Sequence, residues 1–516
     1  MHAGDASPTD SPPTLGRRNV VAGIAGYGWT SMLQLVATPI LLSLLGPESF
    51  GLVGFYMAAQ GVAQIFDLGL SPTINREMAR ASVGTRAEEA HDFLRTVERG
   101  YWIVGIVLGA LVMLLAPMLA SHWVDASRLP AAAIRRDVAL IGLLIAIQWP
   151  ITLYEGGLTG LQRIVTLHMV GIAFRTLGVA AGLILVYVAR DLSVYLLALC
   201  AASVLHVIVL AVALRRSLPL SGRPGRWDPA TVYGVWRFAG GMSVLLLLSA
   251  VLVHADKLVL SRLLSLRAFG YYTLATLMSS GLYVLIMPVF YALFPALSTR
   301  VAAGDAAGER ALYHLGAQTL AVLVIPAGAV IALFAPDIIT VWTRSTDTAL
   351  QAAPIARLLV LGTALNGLMS APYALQLAHG RTRIGITVHL LLIALYLPAI
   401  AAAAVMYGPR GAAVVWIGLN VIYLVTAVPM THREMLCGEA MRWLAADVLA
   451  PSAAGLLVAA LGWFIVRHAT TTPVVAVAGA LATLAAAWLA AAMAAGQVRH
   501  WILPATRAMG RAAAHP

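Results

Sequence analysis

The sequence predicts an all-α polytopic membrane protein of about fourteen transmembrane helices, arranged as two pseudo-symmetric six-helix lobes plus two C-terminal helices. Three observations predict this. The chain is 60% hydrophobic and only 11% charged, with a mean hydropathy of +0.85, and its apolar residues lie in long uncharged blocks. A span needs about 20 apolar residues, and such blocks centre near residues 32, 61, 111, 146, 176, 203, 248, 282, 327, 365, 395, 421, 455 and 484. The third observation is a repeat. Leu44-Leu45-Gly46-Pro47-Glu48-Ser49-Phe50-Gly51 and the stretch from Arg262 to Gly270 are both short elbows between apolar blocks, and both end in Phe-Gly, so Gly51 and Gly270 hold matching places. Each following block then closes on a proline, a polar residue and an arginine, as Pro72-Thr73-Ile74-Asn75-Arg76 and Pro295-Ala296-Leu297-Ser298-Thr299-Arg300. An elbow and an exit that match in order indicate a duplicated bundle, a plan common among secondary transporters.

Taken in order, residues 1–18 are polar and Pro/Ser-rich and are expected to be a disordered cytoplasmic tail. They lack the apolar core and cleavage site of a secretory signal. Residues 19–214 hold helices 1–6, residues 215–235 an Arg/Pro/Gly-rich cytoplasmic linker, and residues 236–430 helices 7–12. A cytoplasmic connection at 431–442 leads to helices 13 and 14 at 443–498, then to a cytoplasmic tail at 499–516. These two last helices carry almost no internal polar group and read as a lipid-facing addition with no share in a transport path. Six spans per lobe bring both lobes into the membrane in the same sense, so the pseudo-symmetry axis is expected along the membrane normal.

Arginine placement predicts both termini on the cytoplasmic side. The net charge of +12 then reads as contact with anionic membrane lipid, with no nucleic-acid partner. Cys200 and Cys437 are too few for a disulfide or zinc framework, and no His/Cys spacing suggests a metal. The single lysine, Lys257, follows Leu252-Val253-His254-Ala255-Asp256, which excludes a phosphate-binding loop of the Gly-x-x-x-x-Gly-Lys type. No cofactor and no catalytic group are predicted. Prolines recur inside the spans; for Pro39, with Gly23, Gly26 and Gly28 before it, a functional bend is as good a reading as ordinary packing.

A charge inside a bilayer costs roughly 2.5–3.5 kcal/mol on insertion scales, so each calls for a partner, a wet cavity or a function. Arg175 lies near the middle of helix 5, with His168 two turns earlier on nearly the same face. Its guanidinium suits a phosphate-bearing substrate; the alternative is a structural pair with Glu155 or Asp67. Asp256 and Lys257 are neighbours about 100° apart on a helix, so each is expected to need its own partner, with snorkelling open for Lys257. Asp67 could take up a proton, pair with Arg76 or cap a helix, and Glu155 has the same ambiguity. Arg357, Asn366, His206 and His389 are further polar points. The candidate substrate contacts are therefore Arg175, Arg76, Arg357, His168 and Asn366, and the candidate coupling or gating groups Asp67, Asp256, Lys257 and Glu155.

Several stretches together carry a family likeness: Leu45 to Gly51, Phe66-Asp67-Leu68-Gly69-Leu70 followed by Arg76, Tyr154-Glu155-Gly156-Gly157-Leu158-Thr159-Gly160-Leu161-Gln162-Arg163, Asp256-Lys257-Leu258-Val259-Leu260, Phe269-Gly270-Tyr271-Tyr272 and Leu293-Phe294-Pro295-Ala296-Leu297-Ser298. Over about residues 19–430 the chain resembles the polysaccharide-transporter branch of the multidrug/oligosaccharidyl-lipid/polysaccharide exporter superfamily. The resemblance implies a flippase in the bacterial inner membrane, with V-shaped lobes around a basic cavity and alternating access coupled to a proton or sodium gradient or to membrane potential. It implies an undecaprenyl-diphosphate-linked glycan (O-antigen, exopolysaccharide or capsule unit) as substrate, and the polysaccharide polymerase machinery as a partner. Arg175, with Arg76 or Arg357, would hold the diphosphate. A cation antiporter on the same fold would favour buried carboxylates, and a glycan polymerase or ligase a large polar outer loop.

Overall fold

The computed structural model describes residues 13–67, 70–81, 87–123, 125–218, 226–227, 247–470 and 472–500. They are helical almost throughout. In order come α1 (Pro13–Ile65), α2 (Leu70–Ala81), α3 (Ala87–Met118, continued by a π-helical turn at Leu119–Trp123), α4 (Ala131–Gln148), α5 (Ile151–Gly160), α6 (Ile164–Ala189) and α7 (Leu192–Ser217). Residues 247–263 form α8. Next come α9 (Leu266–Ser280), α10 (Tyr283–Ala302), α11 (Ala306–Leu333), α12 (Ala335–Thr343), α13 (Thr346–Leu368), α14 (Ser370–Ala378), α15 (Thr382–Met435), α16 (Ala440–Arg442, running into a π-helical stretch at Trp443–Leu449), α17 (Ala450–Ala469) and α18 (Pro473–Ala494). Among the described residues, eleven helical stretches are long and apolar enough to cross a membrane. Of the expected span centres only residue 282 falls off a helix, at the joint between α9 and α10. Most of the expected tails and linker, at 1–12, 219–225, 228–235 and 501–516, lie outside the described residues. Helix α1 starts at Pro13, inside the stretch read as tail.

Two helices are bent where glycine meets proline. Gly46 takes φ +79° within α1 and Gly408 φ +61° within α15, a region open to glycine and costly for other residues. The proline that follows restarts the helix, because its missing N–H is not needed in a first turn. Pro39 keeps helical backbone, so the bend in α1 belongs to Gly46.

The chain divides into two compact units. One comprises Met1–Ala37, Phe66–Ala116 and Arg136–Ser243; the other comprises Thr38–Ile65, Pro117–Arg135 and Val244–Pro516. Within a membrane, helices associate through close backbone approach more than through burial from water. In the first unit α3 and α4 cross at Gly109 and Gly142: a Cβ on either would stand 2.5 or 2.7 Å from the other's carbonyl oxygen. In the second unit the two elbows meet each other. A Cβ on Gly51 would lie 2.2 Å from Leu266 O, and one on Gly270 2.2 Å from Pro47 O. Pro47 and Leu266 are themselves matching positions, separated by the same interval as Gly51 and Gly270, so the contact is reciprocal between the two copies of the repeat. It ties residues 38–65, placed by the sequence in the first six-helix lobe, to α8 and α9.

Helices α17 and α18 form a hairpin whose core joins Ala459, Ala480 and Ala487 to Ala329, Val330 and Phe334 at the end of α11. The Trp488 indole N–H donates to Leu323 O at 2.9 Å. Polar contacts fasten both ends, contrary to the expectation of an apolar addition. At one end Arg467 reaches both carboxylate oxygens of Asp337, at 3.2 and 2.6 Å. The other end is a buried network described below.

Asp305 caps α11, accepting from Gly308 N–H at 2.8 Å and from Arg300 at 2.5 Å. The Gly308 N–H, and after it the Arg300 guanidinium, hold its carboxyl below the ordinary range. A carboxyl lowered on folding contributes stability that is present above its unfolded pKa and is lost as pH falls through the folded value. Thermal melts of the Asp305→Asn variant are therefore expected to lose part of the decline in stability on acidification; an unchanged acid-side profile would contradict the cap.

Candidate substrate and coupling sites

In the first unit, Arg175 lies midway along α6 and faces α1 and α5. Its Nη2 stands 3.1 Å from Glu155 Oε1 and its Nη1 donates to Thr30 Oγ1 at 3.2 Å. Thr30 in turn donates to Gly26 O at 3.0 Å, and Trp29 Nε1 donates to Thr176 Oγ1 at 2.8 Å. His168 comes to the same place: a Cβ on Gly26 would stand 2.1 Å from its Nδ1, and Gly26 O is the acceptor of the Thr30 hydroxyl that Arg175 holds. The Arg175 side chain remains 44% exposed, and among the described residues two of its five N–H donors are engaged. The structure thus brings together Arg175, Glu155 and His168, and Arg175 takes Glu155 rather than Asp67.

Asp67 precedes α2 and works as its cap. Its carboxylate accepts from Ser71 N and Ser71 Oγ, both at 3.2 Å, and from the Tyr101 hydroxyl at 2.7 Å. Arg76 is exposed on α2. A neighbouring cluster of α3, α5 and α7 ties Glu98 to the Tyr154 hydroxyl at 2.6 Å and to Arg215 at 2.5 Å. His206 is buried with Phe174 stacked on it at 5.9 Å.

In the second unit Asp256 and Lys257 pair with one another, against expectation: Lys257 Nζ lies 3.2 Å from Asp256 Oδ1 and also donates to Val253 O at 3.1 Å. The four-carbon lysine stem is flexible enough to fold back across the angle between adjacent helical positions. The other carboxylate oxygen accepts from the Tyr272 hydroxyl at 3.0 Å. Arg357 is exposed and donates to Ala332 O at 3.1 Å, satisfying a carbonyl in the last turn of α11. Asn366 links three helices, accepting from Tyr283 at 3.1 Å and donating to Asn420 at 2.8 Å. His389 is buried, with Ser249 at 3.3 Å.

Residues 17–300, more than half of the chain, match the family model described as "Polysaccharide biosynthesis protein". The chain belongs to that family. A Shigella flexneri protein provisionally named an O-antigen transporter is 22% identical over 409 residues, covering 77% of this chain and 93% of its own length. Among solved structures, a lipid II flippase MurJ in an inward closed conformation superposes with a TM-score of 0.68 at 11% identity, covering 91% of this chain and 98% of that one. The multidrug transporter DinF-BH of the MATE type gives 0.60 at 16% identity, covering 84% and 98%. At such identities these structures establish a shared fold.

This polysaccharide biosynthesis protein has a further charged cluster that the sequence reading passed over. His314, with no exposed surface, lies between two carboxylates: Nδ1 bonds Asp447 Oδ2 and Nε2 stands 3.2 Å from Glu439 Oε2. Gln318 donates to the second Asp447 oxygen at 2.8 Å and accepts from Gln497 N–H at 2.8 Å. Arg310 reaches Glu439 at 3.1 Å. The signal was present, since Asp447 is an acid inside an apolar block.

Proposed function

We propose that this protein flips an undecaprenyl-diphosphate-linked oligosaccharide repeat unit across the bacterial inner membrane by alternating access, driven by a proton or sodium gradient or by membrane potential. The observation that carries this reading is a half-exposed guanidinium with free donors, Arg175, set among apolar helices of a polysaccharide biosynthesis protein. Guanidinium N–H groups pair with phosphate oxygens in a fixed fork geometry, and an incoming diphosphate would compete with Glu155 for them. Arg76 supplements that charge from α2. His168 in the first unit, and Arg357 and Asn366 in the second, are assigned to the glycan and its linkage, while the polyprenyl tail stays in lipid. Glu155, which gains or loses the Arg175 contact, is the first choice for coupling, ahead of Asp67, Asp256 and Lys257, whose bonds are already satisfied locally. The arginine-rich connections and both termini are placed on the cytoplasmic side, and the lobes at 19–214 and 236–430 are taken as the moving bodies. On this reading the protein makes and breaks no covalent bond, and it passes its product to a polysaccharide polymerase.

The test is deletion of the gene, with surface polysaccharide and lipid-linked oligosaccharide measured in the same cells. Loss of surface glycan with intact repeat units accumulating on the lipid carrier is the expected result. Repeat units that reach the outer face but stay unjoined would replace the flippase with a polymerase. Unchanged glycan with new drug sensitivity would replace it with an antiporter.

A further inference from the structure

Glu48 sits in the first turn of the helix that Pro47 restarts, where an acid suits the helix dipole. The residue is nevertheless only 5% exposed, and the groups that hold its carboxylate come from the short connection between α3 and α4. Ser127 Oγ donates to it at 2.6 Å, Arg128 N–H at 2.9 Å and Leu129 N–H at 3.2 Å. Hydrogen bonds to an ionised group are the strong kind, so this is a firm attachment. The same connection holds the other elbow. Leu266 N–H donates to Asp125 O at 2.7 Å, as part of a parallel bridge between Asp125 and Ser265. Trp123 Nε1 donates to Ser261 Oγ at 3.2 Å. Between the two attachments lies the reciprocal contact of Gly51 and Gly270.

The repeat carries a counterpart made between side chains, where the Glu48 attachment to Arg128 uses the backbone. In the register that matches Gly51 with Gly270, Arg267 takes the place of Glu48 and Asp347 the place of Arg128. Their side chains approach to 3.7 Å and are 45% and 68% exposed. Exposed pairs of this kind contribute little. The two fastenings are therefore unequal, and the Glu48 side is the strong one.

We propose that residues 125–129 are a clasp: gripping Glu48 on one elbow and Leu266 on the other, they hold the duplicated elbows shut on the face opposite the arginine-rich connections. Breaking the bonds to Glu48 is the step that lets this face open. The proposal rests on the alternating-access reading above, and it names the groups that set how often the outer face opens. Because the bonds to Arg128 and Leu129 use backbone N–H groups, the one side chain whose loss undoes all three attachments is Glu48 itself.

The test uses the full-length protein with Cys200 and Cys437 replaced and a single cysteine introduced as Thr273→Cys. Thr273 is 5% exposed and lies in the seam, its Oγ1 2.1 Å from where a Cβ on Gly54 would stand. In right-side-out spheroplasts a membrane-impermeant maleimide reaches this cysteine only while the seam is open. Glu48→Ala is expected to raise the labelling rate on the order of ten-fold, and Ser127→Ala, which removes one bond of three, by a smaller factor. Equal rates with and without Glu48→Ala at matched protein amounts overturn the clasp. If Glu48→Ala does not accumulate, the exposed Ser127→Ala decides the question, and an unchanged rate there overturns it as well. Labelling needs no glycan, so a gene deletion that leaves surface glycan intact would remove the flippase reading while the clasp result stood.

Discussion

Replacing Arg175 with glutamate is expected to reduce surface glycan export to below about a tenth of wild type, the scale of losing charge-assisted bonds to a phosphate. The substitution does two things at once. It removes the half-exposed guanidinium, and it sets a carboxylate beside Glu155, whose Oε1 now lies 3.1 Å from Arg175 Nη2. A purely structural role for the pair makes a different prediction. If Arg175 exists only to neutralise Glu155, the double variant Arg175→Gln/Glu155→Gln removes both charges and should export normally. If either residue acts in transport the double variant stays defective, and Arg175→Lys, which keeps Glu155 and its counter-charge, separates the two: it recovers only part of the activity if Arg175 meets substrate, because an ammonium lacks the planar fork. Export would be measured as surface glycan per cell at matched membrane levels of protein. Normal export in a well-expressed Arg175→Glu strain would take this residue out of the mechanism.

The largest stability effect is expected at the foot of the C-terminal hairpin. Changing Asp447 to leucine strands the His314 ring nitrogen and the Gln318 amide, both in surroundings with almost no exposed surface. Leaving a buried hydrogen-bonding group without its partner typically costs about 1–3 kcal/mol, and more where the group is charged. His314→Leu should cost a similar amount, since it leaves Asp447 without its ring partner. Replacing both with leucine is often less harmful than either single change, because neither side chain is then left facing a missing partner and only the Gln318 amide stays stranded. Thermal melts of the purified protein in detergent should therefore place the double variant above both singles. If the double variant instead melts at the sum of the two losses, the two side chains act independently and the network does not hold the hairpin as a unit.

Much of the architecture was legible because a bilayer reads sequence coarsely. Long apolar blocks have few alternatives to helices there, and the paired elbows ending in Gly51 and Gly270 announced the duplication. What was not legible depends on atoms meeting across the fold. Nothing local in residues 38–65 says that they pack with α8 and α9, because close approach at Gly51, Gly54 and Gly61 concerns their neighbours in space. The Asp256–Lys257 pair was misjudged from ideal helical angles, which fix the Cα–Cβ direction but not the end of a long side chain. At the candidate site, the pairing of Arg175 with Glu155 was one of two readings open in the sequence, and distance chose between them. The hairpin reads as an apolar appendage because composition averages over the few residues, Asp447 and Arg467, that fasten it.

The contact between the elbows has one more consequence. Residue 47 of one copy meets residue 270 of the other, and residue 51 meets residue 266; such mutual exchange is the signature of an isologous, two-fold interface between identical subunits. Here both partners are carried on one polypeptide, as a dimer fused head to tail would carry them. The fusion frees each side to diverge, and the exchange of Glu48 for Arg267 at matching positions is such a divergence. The glycines have no such latitude, since any side chain on one is set against the backbone of the other.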